Sequence, residues 1–413
     1  MSKTALVKAQ KAKAASILLR QVSEKTRCDA LRAVAAALRH REAEIIVKNK
    51  LDMEAAHSSN LSEALKDRLL LTAGRIQEMA QSVESIAEQE GVVGKVVSHN
   101  KRADGLVVEK VRIPLGVVSI IFESRPNVVV DCAALAIKSG NAILLKGGKE
   151  AAHSNRILGE IVDQAIYDLI PPDSVQVLDS TDRQQMMDLM ALNQYIDVMI
   201  PRGGHGLIDF VYENAKMPVI AHFLGLCHTY IHSDADSKMA VDIVVNAKAS
   251  RPGVCNAMET LIVHRDCAAT AQVLQALQQE GVELRGDGWV CDNFDGIYPA
   301  EDKDWSTEYL DNILSVKSVL GLEEALVHIQ TYGSHHTEAI ITGSEEVAQK
   351  FVAAVDASCV AVNASSRFND GGQLGLGAEL GISTTKLHAY GPMGAEEMTT
   401  MRYVVRGSGH VRS

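Results

Sequence analysis

From Gly116 onward the chain alternates short apolar runs with helical stretches, and this alternation constrains the fold more than any other feature. GVVSIIF, AILLK, VQVL, IDVMI and PVIAH have strand length. The segments between them carry helical periodicity, as in VVVDCAALAIKSG, which reads as a helix ending at Gly140, and in residues 150–168. Strands this short and continuously apolar are covered on both faces, and strand–helix–strand order joins them in parallel. The fold class is therefore α/β, with helices on both sides of a parallel sheet. TYIHS, METLIVH, EAIITG and CVAVNAS repeat the pattern, with SEEVAQKFVAAV among the helices between them, which is enough for a second α/β domain. Residues 1–90 are rich in Ala, Lys and Glu and read as helices, with Leu31, Val34, Ala35 and Leu38 on one stripe and Thr72 as a cap. GVVGKVVSHN and GLVVEKVRIPLG read as a β-hairpin, and the acidic stretch 292–304 reads as a surface loop.

Charge and cysteine usage narrow the function. Lys and Arg number 41 against 52 Asp and Glu, a net charge of -11. An acidic surface repels phosphate backbones, and 4% aromatic content offers few stacking platforms, so nucleic acid is not the main partner. No apolar run approaches the ~20 residues that span a bilayer, and MSKTALVKAQKAKAAS lacks the apolar core of a secretory signal. The seven cysteines are scattered and contain no CxxC pair, which argues against a disulfide framework or zinc site and for a reducing, cytoplasmic setting. His228 and His232 share a strand face but have no second cluster at ligand spacing, so no metal is expected. Ser-His-Asp hydrolysis lacks its GxSxG marker.

Four segments could carry chemistry. SRPGVCN, residues 250–256, puts Cys255 on a Gly/Pro-bent loop at the expected start of a helical turn, where backbone dipoles and Arg251 would favour a thiolate. On these residues alone, a cysteine is more often a small buried apolar residue than a nucleophile. KGGKE follows the strand AILL and offers Lys146, Gly147, Gly148 and Lys149. IPRGGHG follows another strand, and Arg202, Gly203 and Gly204 make a turn able to hold phosphate on free N–H groups. Neither matches GxGxxG or a P-loop, and either could be only a tight turn; together, at strand carboxyl ends, they favour a nucleotide or dinucleotide. Finally, NASSRFNDGG is a dense polar loop after a strand, in which Arg367 could clamp a carboxylate and Asp370 an amine.

These motifs, together with IPLGVVSIIFESRPNVVVD, SGNAILLKGGKEA, METLIVH, VNASSRFNDGGQLGLGAELGIS and HAYGPMG, resemble the γ-glutamyl phosphate reductase family (glutamate-5-semialdehyde dehydrogenases) of the aldehyde dehydrogenase superfamily, over essentially the whole chain. The resemblance implies NADPH-dependent reduction of γ-glutamyl phosphate in proline biosynthesis. It implies a Rossmann-like cofactor domain over 1–94 and 115–228, a catalytic domain over 229–390, and a small β-flap for homo-oligomerisation over 95–114 and 391–413. It assigns catalysis to Cys255 and Asn256, the latter with the Cys255 N–H as oxyanion hole. Cofactor contacts fall to Lys146, Gly147, Gly148, Lys149, Arg202, Gly203 and Gly204, and substrate contacts to Asn127, Arg251, Arg367 and Asp370. NADPH or NADP is the implied cofactor, and association with the upstream glutamate 5-kinase is a partner the resemblance allows.

Two positions depart from the family pattern. Tyr390 replaces the arginine of HARGP, which passes any carboxylate clamp there to Arg367. The stretch before Cys227 has less glycine than usual, and its residues 221–226 hold no carboxylate to activate water; His222 is its one titratable side chain and reads as packing. The rival readings are a hydrolytic or CoA-acylating aldehyde dehydrogenase for an amino-acid-like aldehyde, and a catalytically silent scaffold. Retention of Cys255 and Lys146 argues against the scaffold.

Overall fold

The computed structural model describes residues 3–59, 61–221 and 223–412. Contacts group the chain into two units, residues 1–221, 375–381 and 393–413, and residues 222–374 and 382–392. No helix among the described residues is long and apolar enough to cross a membrane.

In the first unit, helices from Lys3–Leu19 to Ala73–Glu88 precede the first strand. Thr72 caps Ala73–Glu88, its hydroxyl accepting from the Arg75 N–H. Lys3–Leu19 lays Ala5, Ala9 and Ala12 into a core with Val117, Ile121, Leu144 and Met199. Methyl side chains at this spacing form one narrow stripe and let the helix approach the sheet closely.

That sheet has four parallel strands in the order Val175–Val177, Ala142–Lys146, Val117–Phe122 and Val198–Arg202. The chain builds outward on one side of Val117–Phe122, then returns to pair on its other side. Such a reversal opens a crevice at the strands' carboxyl ends. Ile121 faces Lys146 on one side and Pro201 on the other, so the loops carrying Asn127, residues 146–149 and residues 202–204 leave the sheet at one edge. A separate antiparallel sheet joins Val96–Lys101, Val107–Pro114 and Thr399–Arg406, with Val107–Pro114 central.

The second unit is a seven-stranded parallel sheet. Met258–His264, Cys227–Ile231 and Thr337–Ile341 lie side by side in its interior. Alternation along the strand supplies both faces: Leu261 and Val263 pack with Val244 and Leu274, whereas Ile262 packs with Ile329 and Phe351. Two expectations change here. Cys227 and His228, assigned above to the cofactor domain, belong to the Cys227–Ile231 strand of this sheet. Asp304, read as part of an acidic surface loop, is buried. Its carboxylate pairs with Arg285 at 2.8 Å and accepts the Glu301 N–H at 2.8 Å, which removes the need for solvent.

Candidate active site

The loop bearing Cys255 joins the helix Ser237–Ala249 to the strand Met258–His264. Cys255 lies within consecutive turns, not at the start of a helix, so the expected helix-terminus contribution does not apply. Charge is gathered around it by side chains instead. Arg367 is half-buried, and burial together with Arg251 pushes its pKa down, while Asp370 and Cys255 act in the opposite sense. The four residues that the sequence singled out on two distant loops are thus electrostatic neighbours. Asp370 also braces its own loop, since its Oδ1 accepts the N–H groups of Gly372 and Gln373 at 3.0 and 3.1 Å.

Asn256 does something other than expected. It is buried, and its Nδ2 donates to the carbonyl of Asn369 at 3.0 Å and, at 3.4 Å, to that of Arg367. Ser366 Oγ donates back to the Asn256 carbonyl at 2.7 Å. An amide engaged in this way ties two loops together and is not aimed at a substrate oxygen.

Gly225 shows how tightly the loop is held. A Cβ there would stand 2.3 Å from the Cys255 carbonyl oxygen and 2.8 Å from its Cα, so only glycine allows this approach. The Gly225 N–H donates to Glu308 Oε1 at 3.1 Å. Folding therefore brings to this stretch a carboxylate that residues 221–226 lack, from 83 positions away. His222 lies outside the described residues. The Tyr390 hydroxyl donates to Asp356 at 3.3 Å, beside the Lys386–Asp356 ion pair.

Behind the loop lies a pair that no motif announced. Lys248 Nζ meets Glu259 Oε2 at 2.7 Å, and both side chains are wholly buried. Glu259 Oε1 also accepts the Leu310 N–H at 3.2 Å. Burial pushes the Glu259 carboxyl up to about 7 against the opposing pull of Lys248.

In the first unit the strand ends present a different chemistry. Lys146 is buried, its ammonium donating to the carbonyls of Ser180 at 3.0 Å and Gly147 at 3.2 Å, and burial pushes its pKa down. Lys149 is exposed at the start of a short helical turn, with the Glu150 carboxylate turned away to the Ser124 N–H at 2.7 Å. The Gly204 N–H donates to Glu123 Oε2 at 2.9 Å, so the turn at 203–204 already receives an anionic oxygen. Arg202 departs from the expectation. Its guanidinium donates to the Glu379 carbonyl at 3.0 Å and pairs with the Glu379 carboxylate at 3.5 Å, tethering residues 375–381 in place of a phosphate. Asn127 Nδ2 donates to Asp131 at 2.9 Å, and burial pushes the Asp131 carboxyl up to about 6.

The aldehyde dehydrogenase family model matches residues 2–288. The γ-glutamyl phosphate reductase of Desulfatibacillum aliphaticivorans is 48% identical over 408 residues, which is 98% of either chain. The crystal structure of γ-glutamyl phosphate reductase from Thermotoga maritima is 42% identical and superposes with a TM-score of 0.95, covering 99% of this chain and all of that one. An acetylating aldehyde dehydrogenase from Geobacillus thermoglucosidasius, 18% identical, shares the fold with a TM-score of 0.73 over 100% of this chain and 98% of that one.

Proposed function

The chain belongs to the aldehyde dehydrogenase family and, within it, to the γ-glutamyl phosphate reductases, and we propose that it performs their reaction through a Cys255 thioester with NADPH as reductant. The reaction converts γ-glutamyl phosphate to glutamate-5-semialdehyde and phosphate, the second step of proline biosynthesis from glutamate. The observation that carries the reading is the grouping of Cys255 with Arg251, Arg367 and Asp370 on two loops locked together through Asn256.

The Cys255 thiolate attacks the acyl carbon, and the Cys255 N–H steadies the oxyanion. The C–O bond to phosphate breaks and phosphate departs with its electron pair, leaving an acyl group on sulfur. A reduced nicotinamide, when bound, supplies a hydride to that carbonyl. The resulting tetrahedral oxyanion re-forms its C=O bond, the C–S bond breaks with its electron pair staying on sulfur, and aldehyde and Cys255 thiolate result. Arg367 holds the α-carboxylate and Asp370, by its free oxygen, the α-amine. Lys146, the glycines at 147–148 and 203–204, and Lys149 suit a dinucleotide: they combine a buried ammonium at a strand end with a turn whose N–H already donates to an anionic oxygen. We further read the enzyme as a cytoplasmic homo-oligomer that can associate with glutamate 5-kinase. The antiparallel sheet, with Met401, Tyr403 and Val405 exposed, suits the oligomer contact.

The deciding experiment is run in the oxidative direction. Glutamate-5-semialdehyde and NADP should give NADPH only when phosphate is added, with an acyl phosphate as product. A rate independent of phosphate, yielding free glutamate, would transfer the reading to a hydrolytic dehydrogenase. Glu308, the carboxylate beside Gly225, would then be the base to replace.

Preference for NADPH is expected to reside in Lys149. An exposed ammonium at this position attracts a 2′-phosphate, where a carboxylate would favour ribose hydroxyls. Lys149→Glu should raise KM for NADPH by about tenfold or more, equivalent to ~1.4 kcal/mol, and change KM for NADH little. Equal changes for both cofactors would remove this role. Replacement of Lys146 should impair both and serves as the control.

A further inference from the structure

The hydrogen bonds that begin at Asn256 leave the nucleophile loop, cross the sheet and come back to it. The Asn369 carbonyl accepts from Asn256 Nδ2 at 3.0 Å, and Asn369 Nδ2 donates to Thr337 Oγ1 at 2.8 Å. Thr337 Oγ1 stands 2.8 Å from His336 Nδ1, and that ring nitrogen stands 3.6 Å from Cys227 Sγ. Cys227 Sγ then donates to the carbonyl oxygen of Cys255 at 3.2 Å. A proton on His336 Nδ1 satisfies the links: that N–H donates to Thr337 Oγ1 with the Cys227 sulfur at longer range, the Thr337 oxygen accepts from both Asn369 and His336, and the Cys227 thiol donates to the Cys255 carbonyl.

Cys227, His336, Thr337 and Asn369 are 0% exposed, and Asn256 is 4% exposed. Burial makes each of these bonds stronger, and the loss of one partner more disruptive, than at a surface. The two loops also meet directly, through Asn256 with the Arg367 carbonyl and Ser366 with the Asn256 carbonyl, and the circuit adds a tie from both of them to the sheet. One carries Cys255 and the other carries Arg367 and Asp370, and they lie more than 100 residues apart in the chain. Loop turns alone would let each drift relative to the other. Thr337 and Cys227 sit on the neighbouring strands Thr337–Ile341 and Cys227–Ile231, so the reference frame is the sheet itself.

We propose that Thr337 and Asn369 are positioning residues for the reaction: acting through Asn256 and Cys227, they hold the Cys255 thiol and the Arg367–Asp370 clamp in one register. The proposal rests on the reading of Cys255 as the nucleophile. Its physical basis is the near-attack requirement, in which a displacement of about 1 Å can lower a rate on the order of 100-fold.

The test uses the full-length enzyme. Thr337→Val keeps the shape and strand preference of threonine but has no hydroxyl, and Thr337→Ser restores the hydroxyl. The valine variant should lose roughly 10- to 100-fold in kcat and should slow iodoacetamide alkylation of Cys255, read by mass spectrometry of its peptide. The serine variant should stay within about threefold of the parent in both. Asn369→Ala breaks the same link from the loop side, and the Thr337→Val/Asn369→Ala double variant should be no slower than the worse single one. Parent-like kcat and alkylation in the valine variant would overturn the proposal, as would equal losses in valine and serine variants that track a falling Tm, or multiplicative losses in the double variant. Modification of another cysteine in the parent, with Cys255 unlabelled, would defeat the nucleophile reading itself and this proposal with it, a signature distinct from the others.

Discussion

Cys255→Ser should retain the fold, measured by Tm, and the affinity for NADPH, while losing about three orders of magnitude or more in kcat. The size follows from acidity. A cysteine thiol ionises near pH 8.5 in water, whereas a serine hydroxyl ionises far above any pH at which the chain is folded. The surroundings do not compensate for this. Arg367 feels the charges of Cys255 and of Arg251, but an arginine is a cation that stabilises an anion once it has formed. Glu308 Oε1, an acceptor at the Gly225 stretch, is engaged by the Gly225 N–H. Cys227 is the control thiol. Burial raises its pKa well above that of a free cysteine, and its Sγ is directed to the Cys255 carbonyl. Cys227→Ser keeps a donor in that place and should remain active. Substantial turnover in Cys255→Ser, or equal inactivation by Cys227→Ser, would sink the assignment.

What the sequence made legible, and what it did not, divides along a physical line. The parallel sheets follow from short apolar runs such as AILLK and METLIVH, because a strand buried on both faces needs no polar alternation. Cys255, Lys146, Arg367 and the glycine turns were visible because unusual residue types clustered within a few positions. Chemistry assembled across distance was not visible. Glu308 reaches Gly225 from another segment, Thr337 reaches Asn369 from a strand, and Lys248 finds Glu259 across a helix–strand junction. Arg202 and Asn256 show the opposite failure. Each lies in the right motif, but its side chain is directed to a nearby carbonyl, Glu379 for one and Asn369 for the other. A motif locates a residue on the chain, while the competition between its hydrogen-bond partners decides what its side chain does.

Lys248→Met should destabilise the enzyme by about 3–5 kcal/mol, because it strips a buried carboxylate of the cation paired with it. The defect should also depend on pH, with a sign set by Glu259. Burial already raises its folded pKa to about 7, well above that of a carboxyl in water, and losing Lys248 raises it further. The folded variant then keeps a proton that the unfolded chain releases above about pH 4.5. A carboxyl raised in the folded state makes stability fall as pH rises through that window, by up to about 1.4 kcal/mol per pH unit. The deficit relative to the parent should therefore be smallest near pH 5 and largest at pH 8 and above. Adding Glu259→Gln to Lys248→Met removes the stranded charge while keeping the volume and an acceptor for the Leu310 N–H. That double variant should recover most of the lost Tm at pH 8 and show little of the pH dependence, since a buried pair replaced as a unit often has near-neutral consequences. A single variant with the same deficit at pH 5 and pH 8, or a double variant no better than the single one, would mean that packing of the lysine stem and not its charge is what the core requires.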